Sequence, residues 1–65
     1  MYYVLYKPRG TEEPWTELPD GFRNYPKARD EVKALVAKTN ENGNKTLNVM
    51  LCVGRGRNRR DLLRL

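Results

Sequence analysis

Near its amino terminus the chain reads Tyr2-Tyr3-Val4-Leu5-Tyr6, and Pro8 and Gly10 end this apolar run. Aromatic and β-branched residues favour strands, whereas proline and glycine terminate them. Both faces of the run are apolar, which is typical of a central strand rather than an edge strand. The sequence therefore predicts a sheet built around residues 2–6.

A second long strand is predicted over residues 45–53, where side chains alternate between two faces. One face carries Leu47, Val49, Leu51 and Val53, and the other carries Thr46, Asn48, Met50 and Cys52. We expect the first face to pack under a helix. No second helix is predicted to cover the other face, so Tyr3, Met50 and Cys52 are candidates for a dimer or partner surface.

The predicted helix follows Asp20-Gly21 and begins at Asn24 or Tyr25, with Pro26 in its first turn. Proline is tolerated there because its missing N–H has no partner within the helix. An apolar stripe at helical spacing consists of Ala28, Val32, Leu35 and Val36. We expect residues 40–44 to close the helix, with Gly43 in the left-handed conformation after its last turn.

A short edge strand is predicted between Pro14 and Pro19, at residues 15–18. The order strand, short strand, helix, strand predicts an α+β fold, a ββαβ mini-domain. Its three-stranded antiparallel sheet would have the order 2-1-3, with one helix on one face. If residues 14–19 are only a loop, the unit is a βαβ with parallel strands. We therefore divide the chain into a ββαβ body at 1–53 and an Arg-rich tail or short helix at 54–65.

The composition excludes several classes of function. The 65 residues include 13 Lys and Arg, eight Asp and Glu, one Cys and no His, for a net charge of +5. Without histidine there is no Ser-His-Asp or Cys-His catalysis and no Cys/His zinc site. A single cysteine forms no intramolecular disulfide. We expect a protein that is not an enzyme and that has no cofactor or metal site.

The sequence also predicts where the protein works. Its longest apolar runs have five residues, whereas a membrane span needs about 20. No signal peptide is recognisable, and a free thiol suits a reducing compartment. These features predict a cytoplasmic protein that does not cross a membrane.

The positive charge is concentrated at the carboxyl terminus. Residues 1–53 balance to +1, whereas residues 54–65 carry +4. The arginines there are Arg55, Arg57, Arg59, Arg60 and Arg64. Arginine presents a planar fork of donors that matches phosphate oxygens and guanine edges. These side chains are therefore the principal candidates for nucleic-acid binding, either to DNA or to RNA.

The triplet Arg55-Gly56-Arg57 resembles the core of an AT-hook, whose Arg-Gly-Arg inserts into the minor groove of A·T-rich DNA. The resemblance covers three residues, and the prolines that flank an AT-hook are absent. Other interpretations are a solvated tail, or a tail that grips an acidic protein surface. In a further alternative, Asn58 caps a short helix whose leucines dock on the body or on a partner.

Two smaller features have a bearing on binding. Lys7 and Arg9 form a second basic site, which an antiparallel sheet would separate from the arginine tail. An acidic stretch, Glu12, Glu13, Glu17 and Asp20, surrounds Trp15. A solvated turn is the favoured interpretation of this stretch, and the alternative is that its acids pair with the protein's own arginines and limit non-specific binding. Trp15 either stacks on a base or partner or packs across the hairpin, and packing is favoured for a lone tryptophan.

Two functions follow. The first is a non-enzymatic protein that contacts nucleic-acid phosphates through its Arg-rich terminus. The second is an adaptor or inhibitor that binds a protein through its sheet edge or uncovered sheet face. In size and architecture the chain resembles the compact accessory proteins that phages encode against host machinery, without a shared motif. The concentration of arginine rather than lysine favours nucleic acid.

Overall fold

The computed structural model describes all 65 residues apart from the side chain of Glu41, and within that range it has one α-helix and six strands. In chain order the elements are β1 (Tyr2–Pro8), β2 (Thr16–Glu17), α1 (Tyr25–Lys38), β3 (Asn40–Glu41), β4 (Asn44–Lys45), β5 (Leu47–Val53), a 3₁₀ turn (Gly56–Asn58) and β6 (Arg60–Arg64). Strands β3 and β4 form a small hairpin, and the other four strands form one sheet.

The main sheet has the order β2-β1-β5-β6 and is antiparallel throughout. Strand β1 is central, as predicted, and pairs with β5 from Tyr2 opposite Val53 to Pro8 opposite Leu47. This register excludes the parallel βαβ arrangement. The α+β class is confirmed, but the predicted three-strand sheet is incomplete because a fourth strand lies beside β5.

The fourth strand overturns the prediction that residues 54–65 form a tail or a short helix. Strand β6 covers the edge of β5, and Val49 and Leu65 exchange backbone hydrogen bonds of 2.9 and 2.8 Å. Leu63 packs against the core from this strand. A free strand edge exposes a row of unpaired backbone groups, which β6 satisfies and a one-turn helix would not. Position 53 is therefore not the end of the folded sheet.

Helix α1 begins where the sequence predicts. The side chain of Asn24 accepts a hydrogen bond of 3.0 Å from the backbone N–H of Lys27, which satisfies one donor of the first turn. The helix ends earlier than predicted, with the N–H of Thr39 donating to the carbonyl of Leu35. Asn42 (φ 52°) and Gly43 (φ 79°) instead form the tight turn between β3 and β4. Two consecutive positive φ angles are what a two-residue hairpin turn requires.

The sheet buries side chains on both faces. On the helix side, Val4, Val49 and Leu51 pack against Ala28 and Val32 of α1, and all five are fully buried.

The opposite side carries a second cluster, Tyr3, Leu5, Met50 and Cys52, which we call the helix-free face. The expectation that this face is uncovered is wrong, because Cys52 is 0% exposed and Met50 only 5%. Trp15 packs against this cluster, and arginine side chains described below cover it further. Within the described chain, no helix combines the length and the apolar character that crossing a membrane requires.

Candidate functional site

The connection between β5 and β6 is a tight loop rather than a flexible tail. Gly54 (φ 81°) and Gly56 (φ 62°) both adopt left-handed backbone conformations, which glycine reaches without steric cost. The N–H of Asn58 donates to the carbonyl of Arg55, and the N–H of Gly54 donates to the carbonyl of Met1. We call residues 54–64 the arginine segment. Its five guanidinium groups are therefore carried on a backbone anchored at both ends.

Two of these arginines are held by one carboxylate. Arg55 Nη2 donates to Glu17 Oε2 at 3.0 Å, and Arg59 Nη2 donates to the other oxygen, Oε1. We call these three residues the Glu17 clamp. The pairing of β1 with β2 places Glu17 in this position. Glu17 lies opposite Leu5, whose side chain points to the helix-free face. The structure thus shows the alternative interpretation of the acidic stretch at Glu17, which pairs with the protein's own arginines rather than lying in a solvated turn.

The clamp also covers the helix-free face. The guanidinium carbon of Arg55 lies 4.3 Å from the centroid of the Tyr3 ring, at cation–π distance. Arg59 is the more buried partner, with 28% of its side chain exposed against 58% for Arg55. Among the side chains that the structure describes, Nε of Arg59 is buried without an acceptor. Arg59 is thus tied to the fold more tightly than Arg55.

Cys52 lies beneath this cover. Burial raises the pKa of the Cys52 thiol; the Arg59 guanidinium opposes the rise, and Asp61 and Glu17 add to it. The sulfur lies 3.8 Å from the carbonyl oxygen of Tyr3. A thiol held in its neutral form is a poor nucleophile, and the fully buried Cys52 packs as a small hydrophobic residue.

The remaining arginines differ in how they are partnered. Arg64 pairs with Asp61 at 2.6 Å and keeps 66% of its side chain exposed. Arg57 and Arg60 are exposed, and neither has a carboxylate within salt-bridge distance among the described side chains. Across the segment and Glu17, five guanidinium groups face two carboxylates, which leaves a net charge of +3.

The second predicted basic site consists of Lys7 and Arg9. The structure places Lys7 far from the loop of the arginine segment. Antiparallel pairing places Lys7 opposite Asn48, at the far end of β5 from Gly54. Strand β6, however, runs back along β5 and brings Arg64 opposite Met50. Lys7 and Arg64 consequently line one groove, a juxtaposition that the three-strand prediction had excluded. Arg9 is exposed and is not among the residues lining that groove.

This groove, which we call the Trp15 groove, has a volume of about 390 Å³. Its walls are Lys7, Trp15, Asn48, Val49, Arg64 and Leu65. Lys7 Nζ lies 5.4 Å from the centroid of the Trp15 ring. The groove thus combines a partly exposed aromatic ring with two cations, and none of the described residues in its walls is an Asp or a Glu.

Of the predicted site residues, the structure brings Arg55 and Arg59 together with Tyr3, and it joins Lys7 and Trp15 to Arg64. Met50 and Cys52 are buried and present no side-chain surface. Sequence reasoning missed the roles of Asp61 and Asn48, because neither occurs in a motif. Among the described side chains, no group of three or more His, Cys, Asp or Glu lies close enough to hold a metal ion.

Comparison with protein-family models, with curated proteins and with solved structures found no match to this chain. Its function is therefore argued from its own geometry.

Proposed function

We propose that this chain is a small non-enzymatic protein that binds nucleic-acid phosphates through the arginine segment. One observation carries the proposal: Arg57 and Arg60 stand exposed on an anchored loop, without a carboxylate partner among the described side chains. Arg55 and Arg64 flank them with more than half of each side chain exposed. The array is cationic, and its forked donors fit phosphate oxygens.

The fixed loop favours binding for an entropic reason. Ordering a long side chain and its backbone on a ligand costs conformational free energy. Hydrogen bonds of the 3₁₀ turn and of β6 already fix the backbone of this segment, so only side-chain freedom has to be lost. The Glu17 clamp works in the opposite direction, because a phosphate must compete with a carboxylate for Arg55 and Arg59.

The decisive experiment measures affinity for duplex and single-stranded oligonucleotides at several salt concentrations, with the full chain. The double variant Arg57→Gln/Arg60→Gln is compared with Lys33→Gln/Lys38→Gln on the exposed side of α1. Both variants lower the net charge from +5 to +3. Deletion of residues 54–65 is unsuitable because it removes β6 and the core residue Leu63.

We expect the arginine variant to reduce the slope of log K against log salt by about 1.4 to 1.8, since each phosphate contact contributes about 0.7 to 0.9. The lysine variant should leave most of the slope intact. Equal losses in the two variants would show that net charge alone drives binding. Absence of binding at low salt would refute the proposal.

A second candidate is binding to a protein, and the edge of the sheet favours it. Strand β6 is an outer strand of the sheet; Leu62 within it is 42% exposed, and Leu65 directly after it is 37% exposed. An open edge accepts an added strand from a partner, including a second copy of the chain. Such a protein would act as an accessory protein or inhibitor of the kind that phages encode.

Treatment with nuclease and with high salt distinguishes nucleic-acid binding from protein binding. A protein complex through the β6 edge should survive nuclease and high salt, and Leu62→Lys should abolish it because edge lysines block strand addition. A complex that nuclease destroys excludes this candidate. The buried free thiol of Cys52 suits a reducing compartment, and we propose a cytoplasmic location for either function.

A further inference from the structure

We propose that the Trp15 groove is a binding site for one base of a single-stranded nucleic acid, which stacks on Trp15 while Lys7 and Arg64 hold the neighbouring phosphates. This inference rests on the proposed function and extends it from phosphate contact to the class of nucleic acid. The supporting observation is a groove of about 390 Å³ whose walls hold one aromatic ring and two cations.

Trp15 has the features of a stacking platform. Its ring packs against the helix-free face, Tyr3, Leu5, Met50 and Cys52, which fixes its position, yet it remains partly exposed. A ring that is already ordered loses little entropy when a base stacks on it. Every base offers a π-face, so such stacking binds single strands with little sequence preference.

The two cations of the groove, Lys7 and Arg64, would contact the phosphates of the nucleic-acid strand whose base stacks on Trp15. Lys7 Nζ lies over the Trp15 ring, 5.4 Å from its centroid, and donates a hydrogen bond of 3.3 Å to the carbonyl oxygen of Thr11. A base that stacks on Trp15 therefore takes the place of this ammonium group over the ring and leaves Lys7 beside the base. An ammonium group has three donors, so two remain for a phosphate. Arg64 is 66% exposed although it pairs with Asp61, and its guanidinium keeps further N–H groups free to donate. The charge of the groove therefore complements a polyanion.

Arg64 belongs both to the groove and to the arginine segment. Strand β6 leads from Arg64 back to Arg60 over four residues, a rise of about 13 Å. Arg60 pairs with Val53 on the helix side of the sheet, whereas Arg64 pairs with Met50 on the helix-free side, so a strand anchored by one base at Trp15 would cross the edge strand β6 to reach Arg60. Bases of a duplex are stacked within the helix and cannot enter a groove of this kind without unpairing. This is why the groove selects a single strand.

Trp15 is the only tryptophan in the sequence, so its fluorescence reports directly on the groove. The full chain is titrated with a ten-nucleotide oligothymidylate, an abasic oligonucleotide of equal length and a blunt duplex. Anisotropy of labelled oligonucleotides measures total binding in parallel. We expect saturable quenching of Trp15 by oligothymidylate alone, while all three polyanions bind the arginine segment.

Two substitutions separate stacking from charge. Trp15→Leu should weaken binding of oligothymidylate about tenfold, because stacking of a base on an aromatic ring has about that effect on affinity, and should leave the salt slope unchanged. Arg64→Gln should reduce the slope by about 0.7, the contribution of one phosphate on a single strand. Lys33→Gln is the control of equal charge change. If Trp15→Leu disturbs folding, Trp15→Phe serves as the second variant. It preserves an aromatic ring in the apolar cluster and should retain most of the affinity.

Each failure has a separate meaning. If oligothymidylate binds by anisotropy but neither quenches Trp15 nor loses affinity in the Trp15→Leu variant, the groove is not the base site and the arginine-segment function stands. Equal quenching by the abasic oligonucleotide also overturns the inference, because no base is then needed. If no nucleic acid binds at low salt, the inference and the proposed function both fail.

Discussion

Replacing Glu17 by glutamine tests the Glu17 clamp, because stability and nucleic-acid affinity should change in opposite directions. In the native protein each carboxylate oxygen accepts from one arginine, Arg55 or Arg59. Glutamine keeps one oxygen but presents an NH₂ group in place of the other. One guanidinium therefore loses its acceptor, and the single negative charge that the two arginines shared is gone.

The effect on folding follows from how exposed the clamp is. Glu17 keeps 27% of its side chain exposed, Arg59 28% and Arg55 58%. Pairs at this depth contribute little each, and we expect Glu17→Gln to lower the free energy of unfolding by about 1 kcal/mol. For a domain of this size that corresponds to a fall in Tm of about 4 to 8 °C.

The effect on binding has the opposite sign. In the native protein a phosphate has to displace Glu17 from both arginines, at a cost of about 1 kcal/mol for two partly exposed ion pairs. Removing this competition should tighten binding about fivefold at low salt. The salt dependence should also become steeper, because Arg55 and Arg59 can then contact phosphates of their own.

The assay pairs thermal unfolding, followed by circular dichroism, with anisotropy titrations at two salt concentrations. Glu12→Gln is the matched control, since Glu12 is exposed on the preceding loop, makes no ion pair among the described residues and gives the same change in net charge, +5 to +6. If the two variants gain the same affinity, general charge explains the result and the clamp does not compete with phosphate. If Glu17→Gln weakens binding, Glu17 instead holds the arginines in their binding conformation.

Two further predictions concern the loop and the thiol. Gly54→Ala should destabilise the protein by about 1 to 3 kcal/mol, because an added Cβ would lie 2.7 Å from the carbonyl oxygen of Asn58 at φ 81°. Gly56→Ala, whose Cβ meets nothing within 4 Å, should cost less in urea denaturation, and equal losses would show that Gly54 is not sterically enclosed. Cys52 should react with a thiol reagent far more slowly in the native protein than in urea, and an equal rate would contradict its burial. Because burial raises the pKa of Cys52 in the folded state, stability should be constant below the pKa of the unfolded thiol and fall as pH rises above it.

Local signals in the sequence predict β1 and α1 correctly. An unbroken apolar run makes residues 2–6 a strand with two buried faces, and Asn24 followed by Pro26 marks the start of the helix. Those features depend only on neighbouring residues. Asn42-Gly43 is an equally local hairpin signal, so the turn between β3 and β4 also depends only on neighbouring residues, and the prediction that Gly43 follows the last turn of the helix is wrong.

The conformation of residues 60–64 is not determined locally. Leucine and arginine favour helices on their own, and the segment Arg-Asp-Leu-Leu-Arg has neither a strict alternation nor a helical stripe. It becomes a strand because β5 presents an unpaired edge and Leu63 reaches the core from there. Hydrogen bonds to β5 thus outweighed the local helix propensity. As a result, the segment that was predicted to be a tail is part of the sheet.

By itself, the sequence determined that this is a small α+β protein with its positive charge at one end, because composition and hydrophobic alternation are properties of the chain alone. Only the tertiary structure decided what that charge can do. The partner of Arg55 and Arg59 lies 38 and 42 residues away in Glu17, and Arg64 meets Lys7 and Trp15 across the sheet. Such contacts depend on strand order and register, which bring together residues that no local pattern connects.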